Sequence, residues 1–293
     1  AMRSSLCRGI VIAIFARKRV KKMRADLHIH TTASDGTWTP AELVQQAQAV
    51  GLGALAVTDH DSVANVAEVA SLARAVGLRF LPAAEICSTK ADLSFHILGY
   101  GIDITNKPLL ELMQHNEDLL AQKDVDSIRL LERDGWAVSS AEFARYDYDR
   151  RRGGWRALAY LIDKGLCTGV NDFFKRIFTP EHDLGFPEFP PISEVISAIH
   201  GAGGVALCAH AASGFHGPGL ERVMDLLRVE PLDGFECYHS GHSKEGTERL
   251  LRHCHKHNLL ISGGSDCHGT FVPGRSLGEP FVDTSMLDLG GLL

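Results

Sequence analysis

The chain has 293 residues, a formal net charge of −6, and 45% hydrophobic and 23% charged residues. That length accommodates one large domain or two small ones with a sizeable core, and the acidic balance gives no general reason to expect polyanion binding. Seven cysteines, an odd number with no Cys-x-x-Cys pair, argue against a disulfide framework and for a reduced, cytoplasmic setting.

Residues 1–23 read as an N-terminal extension before a start near Met23. The apolar run "GIVIAIF" is too short to span a bilayer. The basic block "ARKRVKKMR" follows it, whereas a secretory leader places its charges first. "ADLHIH" then alternates like a first strand. "TPAELVQQAQAVG" predicts a helix, with Thr39 as cap, Pro40 at its first position and Gly51 as its stop. "ALAVTDH" is a short buried strand and "SVANVAEVASLARAVG" a second helix, followed by strands in "LRFLPAAEI" and "SFHILGYGI". This alternation argues for a parallel α/β arrangement.

From about Lys107 to Pro190 the pattern becomes helical, and residues 105–190 read as an inserted cap. After it, helices alternate with the strands "GVALCAH", "DGFECYH" and "LLISGGSDCH". About seven strands, most followed by helices, suggest a barrel of the (β/α) kind, one unit short of eight. The barrel would comprise residues 24–104 and 191–293.

Histidine is over-represented, at 15 copies. At about one position in twenty, an isolated His-x-His is weak evidence for metal. "HCHKH" at 253–257 illustrates this: it closes a predicted helix, where cationic side chains suit the helix dipole, and it reads as solvated. The others recur at one structural position. His28, His30, Asp59, His60, Glu85, His210, Glu236, His239, His242, Asp266 and His268 all fall at or just after strand ends, and His96 lies in the fourth strand. In such folds functional residues gather at that rim. Imidazole and carboxylate together suit Zn, Mn or Fe(II). A strand turns alternate residues to one side, so His28 and His30 can share an ion. The donors are too many for one zinc and imply two or three ions.

"DLHIHTTASDGTWTP", "AVTDHDS", "PAAEIC", "FHILGYGID", "GGVALCAH" and "GGSDCHG" closely resemble the PHP (polymerase and histidinol phosphatase) family, and in particular its small stand-alone phosphoesterases. The resemblance implies an α/β fold, a distorted (β/α)7 barrel with a helical insertion, and a trinuclear metal centre. His28, His30, Glu85 and Asp266 would hold the first ion. Glu85 would bridge to a second held by His96 and His210, and Asp35, His60 and His268 would hold the third. Asp26 and Asp59 would orient a ring or loop, with Cys208 and Cys267 as buried fillers.

The implied reaction is phosphate-ester hydrolysis by a metal-bridging hydroxide, with Asp266 taking up a proton. His242, rather than His239, is the preferred general acid or phosphate holder. Many small relatives carry a Gly-Arg-x-His-type segment near the start of the cap helix. Here "DYDRRRGGWRALAYLIDKG" has Gly-Gly-Trp-Arg instead, which argues against a standard nucleotide substrate. Arg156, with Arg150, Arg151 and Arg152, is a candidate anion clamp, as is Arg275 in "VPGRSLGEP". Trp155 reads as helix packing. The expected partner is a small phosphorylated metabolite (a nucleoside bisphosphate, sugar phosphate or cyclic phosphate), with no duplex nucleic acid and no membrane span. Three alternatives stand beside this one. An amidohydrolase-type C–N hydrolase would use a mid-barrel lysine, absent from these strand ends. A non-enzymatic metal-bound module would show lost ligands. An exonuclease would act on short oligonucleotide ends.

Overall fold

Seven strands pair in chain order around one sheet, β1 (Ala25–Asp26), β2 (Ala54–Val57), β3 (Arg79–Lys90), β4 (Leu93–Tyr100), β5 (Val205–Cys208), β6 (Gly234–His239) and β7 (Leu260–Gly264). This computed structural model describes residues 22–216 and 219–293. All but the last two residues of the expected N-terminal extension lie outside that range. The sheet curls until its edges meet: Leu27 N–H donates to Gly263 O, His30 N–H to Cys267 O and Asp266 N–H to His28 O, at 3.2, 2.9 and 2.8 Å. The approach requires glycine at 264, where a Cβ would lie 2.4 Å from the His28 nitrogen.

One expectation is corrected. β1–β3 and β5–β7 run parallel, but β4 is antiparallel to both its neighbours. Only Ala91 and Asp92 separate β3 from β4, both with positive φ, and two residues can close a hairpin but not a parallel crossover. This reversal is the distortion of the barrel. The rim where the parallel strands end is where β4 begins, so His96, fourth in its strand, pairs with Cys87 there.

Helices cover the barrel. α1 (Pro40–Ala49) carries the reciprocal cap its sequence predicts: the Thr39 hydroxyl accepts from Glu42 N–H, and Glu42 accepts from Thr39 N–H. α1 and α2 (Val66–Ala75) bury Leu43, Ala47, Val69 and Ala73 against the β1–β2 side. α3 (Lys107–Arg133) is 27 residues long, about 40 Å at 1.5 Å per residue. Its first half packs Leu109 and Met113 on the barrel, and its second half gives Ile128 and Leu131 to a separate core. α4 (Ser140–Phe143), α5 (Arg156–Asp163) and α6 (Val170–Asp172), with the helical turn that follows it, complete that core through Phe143, Tyr160, Leu161, Phe173 and Ile177. α7 (Ile192–Gly201), α8 (Leu220–Leu227) and α9 (Lys244–His257) return the chain to the barrel. His255 and His257, at the end of α9, are exposed. No described helix is long and apolar enough to cross a membrane.

Candidate metal centre

The strand ends deliver nine imidazoles and carboxylates to one cluster. His28 and His30 follow β1 and are fully buried. Glu85 lies within β3, and its two oxygens face different partners. Oε2 lies 3.2 Å from each of His28 Nε2, His30 Nε2 and His60 Nδ1. Oε1 lies 3.0 Å from His210 Nε2 and 3.2 Å from His96 Nδ1. Asp266 Oδ1 is 3.1 Å from His30 Nε2 and 3.4 Å from His28 Nε2. Asp35 Oδ2 is 3.3 Å from His268 Nε2, and the His268 ring stacks 4.0 Å from that of His30.

These residues fall into sets whose donor atoms all lie within 4.8 Å of one another: His28, His30, Glu85 and Asp266; Glu85, His96 and His210; and His30, Asp35, His60 and His268. Each set is small enough for its members to share a cation. The fit has a sharper sign. The buried atoms His28 Nε2, His30 Nε2, His60 Nδ1 and Glu85 Oε2 make no hydrogen bond although they crowd together. Buried polar atoms are normally satisfied. Here the lone pairs converge on shared space instead of pairing, which is what ligands to cations do.

The surroundings fix the ring tautomers. His28 Nδ1–H donates to Glu236 at 3.0 Å and His268 Nδ1–H donates to the Asp266 carbonyl at 2.8 Å. Each leaves its Nε2 lone pair for the cluster, the usual arrangement of a carboxylate or carbonyl behind a metal-binding histidine. Burial pushes the His60 imidazole down to about 3, so it is neutral; at His28 burial also disfavours the charge, but Glu236, Glu85 and Asp266 outweigh it and hold that imidazole well above its usual range, a positive charge that a cation at Nε2 would replace. Burial alone would raise the Glu85 and Asp266 carboxyls; the imidazoles, His28 foremost, hold both well below the usual carboxylate range. Two of the donors sit on strained backbone, His210 at φ 31° and Asp266 at φ 55°.

Asp59 accepts from Thr31 N–H, Thr31 Oγ1 and Ser34 Oγ at 2.6–2.7 Å, tying down the loop that carries Asp35. Asp26 accepts from the backbone of Ser265 and Gly278 at 2.9 and 2.7 Å and anchors the loop that carries Asp266. Cys208 and Cys267 are buried beside ligands.

The structure corrects two readings and sharpens two others. His242 does not face the cluster: its Nδ1–H donates to Cys237 O and its Nε2 accepts from Ala212 N–H, at 3.1 and 3.2 Å. Both nitrogens serve the backbone, and burial, then His239, keeps its pKa low. His239 takes the position expected of His242. It is buried, its Nδ1 accepts from Gly241 N–H at 2.9 Å, and its Nε2–H points at Asp266 Oδ2 at 3.2 Å. Arg156 is no anion clamp. Its guanidinium donates to the carbonyls of Phe143, Ala144 and Tyr146 and lies over the Phe143 ring, closing α4. Arg275 does reach the cluster and pairs with Asp266 Oδ2.

The other cap arginines staple the cap to the barrel or to itself. Arg150 donates to Ala33 O, Arg151 pairs with Glu42, and Arg152 pairs with Asp163. Gly154 N–H donates to the carbonyl of Asp35 at 2.8 Å. Gly153 has φ 72°, and a Cβ there would lie 2.6 Å from Phe271. Gly-Gly therefore lets this segment press onto the loop that bears Asp35. Trp155 packs at 5.2 Å from Phe173, within the cap.

Sequence reasoning missed three contributors. Glu236 was legible as a rim carboxylate, but not as the partner of His28. Cys87 brings its sulfur within 4.8 Å of the His60 and His96 nitrogens. Its signal was its place two residues after Glu85, on the same face of the strand. Phe215 packs its ring 4.6 Å from that of His96, with no sequence signal.

The PHP domain family model matches residues 26–175. The chain is 30% identical over 254 residues to a 5′-3′ exoribonuclease of Haemophilus influenzae, covering 83% of this chain and 89% of that one. It is 28% identical over 261 residues to a 3′,5′-nucleoside bisphosphate phosphatase of Chromobacterium violaceum, covering 87% and 90%. A solved structure from Bifidobacterium adolescentis, described as a metal-dependent phosphoesterase on provisional grounds, superposes with TM-score 0.75 at 30% identity, over 89% of this chain and 93% of that one. The barrel and its donor cluster define a metal-dependent phosphoesterase, a phosphoric ester hydrolase. The chain belongs to the PHP domain family.

Proposed function

We propose that this enzyme releases phosphate from a small phosphorylated metabolite, using two or three Mn, Fe or Zn ions held by His28, His30, Asp35, His60, Glu85, His96, His210, Asp266 and His268. The observation that carries the reading is the convergence of four buried donor atoms that make no hydrogen bond. Bound there, such ions supply Lewis acidity toward phosphoryl oxygens and acidify water to a near-neutral pKa. Glu85 supports a shared role by dividing its oxygens between two donor sets. Asp266 turns Oδ1 to His28 and His30, and Oδ2 to His239 and Arg275. Oδ2 is therefore the atom that can accept a proton from attacking water. His239, a neutral ring with Nδ1 on Gly241 N–H and its proton on Nε2, keeps that proton and hydrogen-bonds the leaving oxygen, which can take up the proton that Asp266 has accepted from water. Arg275, partly exposed, can swing from Asp266 to a phosphoryl oxygen, where its planar fork matches the geometry. The described cysteines are all free, which supports a cytoplasmic enzyme.

The test is a phosphate-release screen with Mn²⁺ across nucleoside bisphosphates, sugar phosphates and cyclic phosphates, paired with elemental analysis. Two or more ions per chain and turnover of at least one class are expected. No more than one ion, or no release from any ester, would refute the reading. The likeness to the Haemophilus protein favours one second reading, action on short RNA ends. A 5′-phosphorylated oligoribonucleotide in the same screen tests it.

A further inference from the structure

One buried thiol beside the donor cluster belongs to none of the three sets that the proposed function uses. The sulfur of Cys87 and one nitrogen each of His60 and His96 lie within 4.8 Å of one another, and the two rings meet edge to face with centroids 4.8 Å apart. Asp61 adjoins them, 2% exposed and on left-handed backbone at φ 45°. Its N–H donates to Glu85 O at 2.8 Å, and its Oδ1 accepts from Cys87 N–H at 3.2 Å and from the Asn116 amide at 2.7 Å. Asn116 also donates to Cys87 O at 2.9 Å. These bonds hold the Asp61 carboxylate where it faces the Cys87 thiol and the His96 ring. Its second oxygen, Oδ2, is nevertheless buried with no hydrogen-bond partner, a state that buried polar atoms normally avoid.

A cysteine that only fills space behaves as a small hydrophobe among apolar neighbours. Cys87 instead faces two imidazoles and a carboxylate oxygen left without a bond. One sulfur, two nitrogens and one oxygen are four donors, the number and kind that tetrahedral zinc takes. A thiolate selects zinc and softer cations over manganese. The His60 side chain is 21% exposed and leaves a way in from solvent.

We propose that Cys87, His60, His96 and Asp61 Oδ2 form a separate site for a thiophilic divalent cation of the zinc class, and that filling it inhibits the enzyme. As the sulfur–metal bond forms, the thiol proton leaves to water. The cation draws His96 from the set it shares with Glu85 and His210, and His60 from the set that includes Asp35 and His268. The set of His28, His30, Glu85 and Asp266 keeps all its members. The inhibition rests on the phosphoesterase reading; the site itself does not.

The probe is Cd²⁺, added up to one equivalent to the Mn²⁺-loaded protein. A thiolate-to-cadmium charge-transfer band should rise in the ultraviolet while bound Mn²⁺ falls, read by elemental analysis after desalting. Cys87→Ser should abolish the band and weaken Cd²⁺ binding, measured against a chromophoric chelator, by at least roughly 10-fold, the lower end of what disturbing a ligand shell costs. Cys208→Ser and Cys267→Ser should keep the band. Asp61→Asn retains an oxygen for Cys87 N–H and Asn116 but puts an amide NH₂ in place of Oδ2, so the band should stay and the affinity fall. Phosphate release, taken relative to each protein's own Cd²⁺-free rate, should need at least roughly 10-fold more Cd²⁺ to halve in Cys87→Ser than in the wild type. Absence of the band, or a band that survives Cys87→Ser, overturns the site. A band that rises with no loss of Mn²⁺ or of phosphate release overturns the inhibition. Should Cys87→Ser fail to fold, Asp61→Asn decides, and an unchanged affinity there overturns the site. Band and affinity need no turnover, so they decide the site even where no ester is hydrolysed.

Discussion

Glu236→Gln separates the two things a buried carboxylate can do here. Glu236 is fully buried and accepts from His28 Nδ1–H at 3.0 Å and from the His210 backbone N–H at 2.8 Å. Glutamine keeps the volume but offers one oxygen and one amide NH₂, so one of those donors must face another donor. If the oxygen stays with His210, His28 moves its proton to Nε2, the atom aimed at Glu85 and Asp266, and is lost as a ligand. If it stays with His28, the His210 N–H is buried without an acceptor, at a cost of about 1–3 kcal/mol. Metal affinity should fall roughly 10- to 100-fold, as for other partners that orient ligands. The metal-free protein should melt lower by about 2–4 °C per kcal/mol lost. Competition against a chelator, read by elemental analysis, gives the affinity, and melts with and without EDTA give the stability. A variant that keeps wild-type affinity while melting lower would refute the argument, because Glu236 would then be packing alone.

Asp266→Asn should reduce turnover about 10²- to 10⁴-fold, the usual worth of a positioned proton acceptor, while the protein still melts cooperatively; loss of the transition itself would count against a chemical role. His239→Gln should cost about 10²-fold in kcat and His242→Gln less than about 3-fold, the latter losing on the order of 1 kcal/mol of stability instead; steady-state kinetics with the order reversed would restore His242 as the acid. Asp124 accepts from Ala157 N–H at the start of α5, and burial raises its carboxyl to about 7. Its folded pKa exceeds its unfolded one, so stability falls as pH rises from about 4 to 7 and is level beyond. Asp124→Asn keeps the acceptor and removes that loss. Relative to wild type it should gain on the order of 2 kcal/mol between pH 4 and pH 8, a figure discounted for partial exposure. Denaturant melts showing a pH-independent difference would refute this.

What was legible in the sequence follows from what is local. Thr39, Pro40 and Glu42 announce α1 because a capping box needs only residues three apart. The rim donors are legible because β-strands end at one face of a barrel, so His28, His60, Glu85, His210 and Asp266 could be grouped without coordinates. The direction of β4 was misread because strand three was ended at Ile86; with β3 running on to Lys90, the two-residue gap to Leu93 leaves room only for a hairpin. Arg156 and His242 were misassigned for a different reason. Both have charge or proton-transfer chemistry to offer, and only the fold reveals that main-chain carbonyls and amides 5 to 30 positions away already occupy them.

The two strained donors explain why the barrel has to close. Left-handed backbone at His210 and Asp266 costs about 1–3 kcal/mol each and persists only where neighbours over-determine it. His210 is held by its N–H on Glu236 Oε2, from β6, and Asp266 by its N–H on His28 O, across the seam between β7 and β1. Both anchors therefore come from a neighbouring strand, and both lead to His28, one through its ring and one through its carbonyl. Loosening the seam would release Asp266 from its left-handed turn and displace the His28 ring in the same motion. Cation binding and barrel closure thus stabilise one another, and the ions should raise the melting temperature in proportion to the logarithm of their concentration over Kd.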